Sequence, residues 1–136
     1  MLNRIQEEVL LKELIDDNTD IVRKNEIAIY FSDKKDERVV PILEKLINNP
    51  RYKNHRGTFV YALKNFASNK HFDLLINLLI DANYEVAHEA FDILHSIDCI
   101  EGEKSQMAYM QLNYAYQNGG EVWRKELIKE VLPCFE

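Results

Sequence analysis

A chain of 136 residues with 46% apolar residues, few Gly and few Pro is long enough for a core and unlike disordered or collagen-like sequences. Its net charge of −6 opposes nonspecific binding to nucleic acid or to an anionic membrane. No apolar run approaches the roughly 20 residues of a membrane span. Glu7, Glu8 and Glu13 interrupt the first apolar pattern, which argues against a signal peptide and for a cytoplasmic protein of one domain, residues 1–136.

The first predicted helix carries Leu10, Leu11, Leu14 and Ile15 at the spacing of one buried stripe. A second helix follows in "DIVRKNEIAIYF", where Ile27, Ile29, Tyr30 and Phe31 compete for the inner face. Advancing the first stripe by 32 residues gives Ile42, Leu43, Leu46 and Ile47. Advancing it again gives Leu74, Leu75, Leu78 and Leu79, so every one of these positions is Leu or Ile. That offset marks an internal repeat. The second helix of repeat two places Phe59, Ala62, Leu63 and Phe66 inward, and a shift of 31 lays them on Ala90, Ile93, Leu94 and Ile97.

A fourth pair follows, "EKSQMAYMQLNYAYQ" and "EVWRKELIKEVL", parted by Gly119 and Gly120, which suit a helix stop and tight turn. Met107 and Met110 continue the 32-residue stripe in weaker form. The expectation is therefore an all-α fold of four helical hairpins, over residues 5–33, 36–68, 71–99 and 104–133.

The pieces "DERVVPILEKLI" at 36–47 and "YEVAHEAFDILHSI" at 84–97 resemble HEAT-like repeats, the short bacterial kind also seen in phycobilisome lyase-like proteins. Asp36, Arg38, Val40 and Pro41 before the paired aliphatics carry the likeness, which covers about residues 8–100 well. It implies a right-handed α-α superhelix, a solenoid whose second helices line a concave surface that usually takes the ligand. It speaks to architecture and says little about activity, since the matching positions are core and turn positions.

Charge is spread unevenly. Residues 71–103 hold eight Asp or Glu and no Lys or Arg, whereas residues 36–70 hold seven bases and three acids. On the second helix of repeat three, Glu85, His88, Asp92 and His95 follow 3–4–3 spacing and share a face, with Glu89 beside them. On the equivalent helix of repeat two, Arg56, Tyr61, Lys64 and Asn65 lie between the core positions. Trp123, Arg124 and Glu130 are candidates on the last helix. An acidic field without local bases attracts a cationic partner and speeds docking. Solubility and helix dipoles account for some of these acids, since Asp73 and Glu85 stand in first turns. Tyr61 and Trp123 are candidate aromatic anchors.

Catalytic patterns are weak. "HEAFD" starts like the zinc-protease motif but has Asp92 where a second His must stand. His88, Asp92, His95 and Cys99 on one helix would span about 16 Å, too far for one ion, so no metal or cofactor is expected. Ser32, Ser68, Ser96 and Ser105 lack an elbow-type Gly context, and no phosphate loop is present. Cys99 and Cys134 read as buried thiols. "RYKNHR" at 51–56 reads as a solvated turn.

The favoured function is a non-enzymatic module that binds a basic protein, taking Tyr61, Lys64, Glu85, His88, Glu89, Asp92 and His95 as partner-binding residues. Its sharper form is an immunity or antitoxin protein that inhibits a cationic toxin such as a nuclease, by analogy with other small acidic inhibitors. The alternatives are a lyase-type or DNA-repair-type HEAT-like enzyme, or an adaptor subunit of a larger complex. Oligomeric state is left open by the sequence.

Overall fold

The computed structural model describes residues 2–66, 71–97 and 102–136. Among these residues every regular element is helical: eight α-helices and two short 3-10 turns. The chain divides into two compact units, residues 1–66 and 67–136. Each described unit holds two helical pairs.

In the first unit, α1 (Arg4–Ile15) starts at a capping box, Gln6 N–H donating to Asn3 Oδ1 and Asn3 N–H to Gln6 Oε1, both at 2.9 Å. Helix α2 (Ile21–Asp33) starts where Asp20 Oδ1 accepts from the Arg23 N–H. It ends in a left-handed turn at Lys35, φ 56°, with Asp36 N–H on Phe31 O and Lys35 N–H on Ser32 O. Helix α3 (Val39–Asn48) tolerates Pro41 because the first turn needs no amide donor there. A 3-10 turn over Pro50–Tyr52 leads into α4 (Gly57–Leu63). Helix α1 packs on α3 and α2 on α4, so first helix meets first helix and second meets second.

The inner face of α2 goes to Ile27, Ala28 and Phe31, all buried, while Ile29 and Tyr30 stay half-buried. Tyr30 instead turns its hydroxyl to Glu7 Oε2, at 2.8 Å. Glu7 is itself buried on α1 and also meets Lys34 and, at 2.9 Å, Arg38. Hydrogen bonds from Lys34 and Tyr30 hold its carboxyl below the usual carboxylate range. Lys24 is 0% exposed and donates to the carbonyls of Leu14 at 2.5 Å and Asp16 at 2.8 Å, closing the C-terminal end of α1. Burial lowers its pKa.

In the second unit, α5 (Phe72–Asp81) and α6 (Tyr84–His95) form a tight pair. The break between them is two residues: Ala82 ends α5, and Asn83 Oδ1 caps α6 by accepting from Val86 N–H at 3.0 Å. Helix α7 (Glu103–Gln117) and α8 (Val122–Val131) follow, and a 3-10 turn over Leu132–Phe135 packs on both. Gly119 and Gly120 join them at φ 103° and 100°, a conformation in which a Cβ is strained. Helix α5 packs on α7, and α6 on α8.

The two middle stripes have matching burial. Leu43, Leu46 and Ile47 are buried with Ile42 half-buried; Leu75, Leu78 and Leu79 are buried with Leu74 half-buried. The fourth pair departs from the expected register. Met107 and Met110 are 60% and 69% exposed, and α7 instead buries Ser105, Ala108 and Leu112. Ser105 Oγ donates to the Phe135 carbonyl at 3.3 Å. In the first pair Leu14 is buried and Ile15 exposed. Cys134 is a free, half-buried thiol rather than a buried one. Cys99 lies outside the described residues, as do Ser68, Asp98 and Glu101.

Candidate functional site: the outward face of α6

Helix α6 has two faces for a plain reason. Val86, Ala87, Ala90, Ile93 and Leu94 recur at helical spacing and are buried against α5 and α8. The residues between them point away from that core. Glu85, Asp92 and His95 are exposed, and His88 and Glu89 are half-buried. The expected 3–4–3 set therefore shares one outward face of one helix. Asp81, at the end of α5, is also exposed. His95 is not isolated, because its ring stacks on Phe91 at 5.2 Å.

His88 belongs to an aromatic cluster. Its ring centroid lies 4.0 Å from that of Tyr84 and 5.8 Å from that of Trp123, and Tyr84 meets Trp123 edge-on at 5.0 Å. His88 Nδ1–H donates to the Tyr84 carbonyl at 2.8 Å, since a carbonyl can only accept. The neutral ring then has Nε2 as an acceptor. Trp123 is half-buried, so it is neither wholly core nor wholly surface.

Arg124 is only 8% exposed and stacks over Trp123 at 4.5 Å. Its guanidinium donates to the carbonyls of Leu79 at 2.7 Å and Ala82 at 2.6 Å, and pairs with Glu121 at 3.1 Å. That ion pair depresses the Glu121 carboxyl. The candidate reading of Arg124 as a surface contact is corrected: it closes the C-terminal end of α5. Arg56 has the same task in the first unit, donating to Ile47 O at 3.0 Å. Asn65 likewise serves packing, since its amide donates to the backbone O and Oγ of Ser32 at 3.2 and 2.9 Å.

Tyr61 and Lys64 belong to the first unit. Both are exposed, and the Lys64 ammonium lies 3.7 Å from the Tyr61 ring centroid. That unit also has an open apolar groove of about 250 Å³ lined by Ile15, Pro41, Ile42 and Leu46, rimmed by Asp17 and Lys45.

Among the described residues no three metal-capable side chains converge, and no helix is long and apolar enough to cross a membrane. Ser32, one of the serines considered in the sequence, is buried and donates to Ala62 O at 2.7 Å. No family model, curated protein or solved structure matches this chain.

Proposed function

We propose that this chain is a non-enzymatic protein-binding module that takes a basic protein partner on the acidic outward face of α6, in the cytoplasm. The observation that carries the reading is a conjunction of charge and exposure. Glu85 and Asp92 are exposed on a helix set within 33 residues, 71–103, that contain no Lys or Arg. Uncompensated charge of one sign steers a cationic partner and raises its association rate. His88, Glu89 and His95 complete the contact surface on α6, and in the first unit Tyr61 and Lys64 are exposed contact candidates of their own.

Architecture of a HEAT-like kind goes with this reading. It is supported by the 32-residue period, by the matching burial of Ile42–Ile47 and Leu74–Leu79, and by the like-on-like helix packing within each unit. The proposed superhelix would set second helices on the inner, ligand-facing side.

The most specific form is an immunity or antitoxin-type inhibitor of a cationic toxin. A neighbouring gene for a large delivered protein with a variable, basic C-terminal domain is the expected genomic setting. Co-expression with that domain should restore growth of the host cell. Failure to protect, combined with no complex in solution, removes the inhibitor reading.

A further inference from the structure

Resting on the acidic-face reading, we infer that Tyr84, His88 and Trp123 form the seat for one arginine side chain of the basic partner. Three observations converge there. Tyr84 leaves 55% of its surface exposed although it is a large ring, and it touches both other rings. A planar guanidinium lies well on such aromatic faces, where attraction by the ring quadrupole adds to contact area.

The second observation concerns polarity. His88 Nδ1 is held by the Tyr84 carbonyl, so the neutral imidazole offers Nε2 as an acceptor for a guanidinium N–H. The third is charge. Asp81, Glu85 and Asp92 are exposed on the same pair of helices, whereas Glu121, before α8, is paired with Arg124. One guanidinium already lies against the cluster, that of Arg124 over Trp123 at 4.5 Å, so the ring left open to the partner is that of Tyr84. Arg124 is bonded to Leu79, Ala82 and Glu121, and Lys125 lies over the Tyr116 ring at 5.5 Å. An arginine therefore meets an aromatic face, an acceptor and a negative surround. An anionic or purely apolar side chain would satisfy fewer of these groups.

Trp123 is the sole tryptophan of the chain, so its fluorescence reports on this seat alone. The intact protein is titrated with a hexa-arginine peptide, a hexa-lysine peptide and a neutral leucine-rich peptide, and total binding is followed separately by calorimetry. The expected result is a saturable Trp123 change with hexa-arginine, with Tyr84→Ala weakening binding about three- to fivefold and Tyr84→Phe within about twofold of wild type. Hexa-lysine should bind more weakly, since an ammonium lacks the planar stacking surface. Circular dichroism checks that Tyr84→Ala remains folded. Hexa-arginine binding by calorimetry without any Trp123 change, or unaltered by Tyr84→Ala, overturns the seat while leaving the acidic face standing. Equal Trp123 response to the leucine-rich peptide also overturns it, as an apolar anchor. No binding of either cationic peptide removes both the seat and the acidic-face reading.

Discussion

Arg124 donates to the carbonyl of Leu79, 45 residues earlier, at 2.7 Å. The equivalent bond in the first unit joins Arg56 to the carbonyl of Ile47, and Ile47 precedes Leu79 by the repeat length of 32. Lys24 does the same for Leu14. Carbonyls at a helix C-terminus lack intrahelical donors and carry partial negative charge, so a buried cation satisfies both needs. In the first unit each cation comes from within a few residues of the partner helix. Between His71 and Glu103 there is no base to supply one, so α8 lends Arg124 to α5. The acidic stretch thus stays free of bases even where the backbone needs a cation.

Replacing Arg124 with Met should destabilise the second unit by about 2–3 kcal/mol, because two carbonyls lose charged donors inside the protein. Arg124→Lys should recover part of this, since an ammonium keeps the charge but lacks the planar fork that serves Leu79, Ala82 and Glu121 together. Urea unfolding followed by circular dichroism reads both variants. A midpoint for Arg124→Met equal to wild type would remove the cap from the account.

The register of α7 makes a contrasting prediction. Leu75→Ala should cost about 2–5 kcal/mol through an internal cavity. Met107→Ala and Met110→Ala, at 32-residue offsets from Leu75 and Leu78 but exposed, should each change stability by under about 0.5 kcal/mol. Chemical denaturation of the three variants side by side decides it.

Lys35 holds a left-handed conformation after α2 with φ 56°. Glycine removes the Cβ penalty there but adds freedom to the unfolded chain. The net expectation for Lys35→Gly is a gain of about 0.5–1 kcal/mol, read as a higher thermal midpoint.

His71 sets a pH dependence. It is buried at the start of α5, neither ring nitrogen has a hydrogen-bond partner among the described residues, and burial lowers its pKa below the ordinary 6.5. The unfolded chain takes up its proton near pH 6.5, while the folded protein takes it up only at lower pH. Unfolding is then linked to proton uptake, so stability falls as pH drops below 6.5 toward the folded value. His71→Phe should flatten that part of the curve, measured as urea midpoints across the range. An unchanged slope would assign the dependence to other groups.

The parts of the fold that announce themselves in the sequence are apolar. Ile42–Ile47 and Leu74–Leu79 declare their helices because period and hydrophobicity agree. The same reasoning misplaces Met107 and Met110, since it follows the 32-residue offset while α7 buries a different row, Ser105, Ala108 and Leu112. It also reads charged residues outward, and so misses Glu7, Lys24 and Arg124. A signal was present nonetheless. Lys24 stands four and seven residues before the buried Ala28 and Phe31, and Arg124 stands four and seven before Ile128 and Val131. A charge on the inner stripe at that spacing marks a buried cap. The face of α6 was legible because its polar positions fall between two apolar rows. The Tyr84–His88–Trp123 cluster was not, since it needs α8 to come beside α6.

We propose that the acidic face of α6 recruits a basic protein. The most direct test is the association rate with the partner captured from the native cell, between about 50 and 500 mM salt, for wild type and for the Glu85→Gln, Glu89→Gln, Asp92→Asn variant. The expected result is a basic partner whose association slows about tenfold or more with salt or with the triple variant, at nearly constant dissociation and unchanged helicity. A partner that is acidic, or an association rate indifferent to both salt and these three carboxylates, would contradict it.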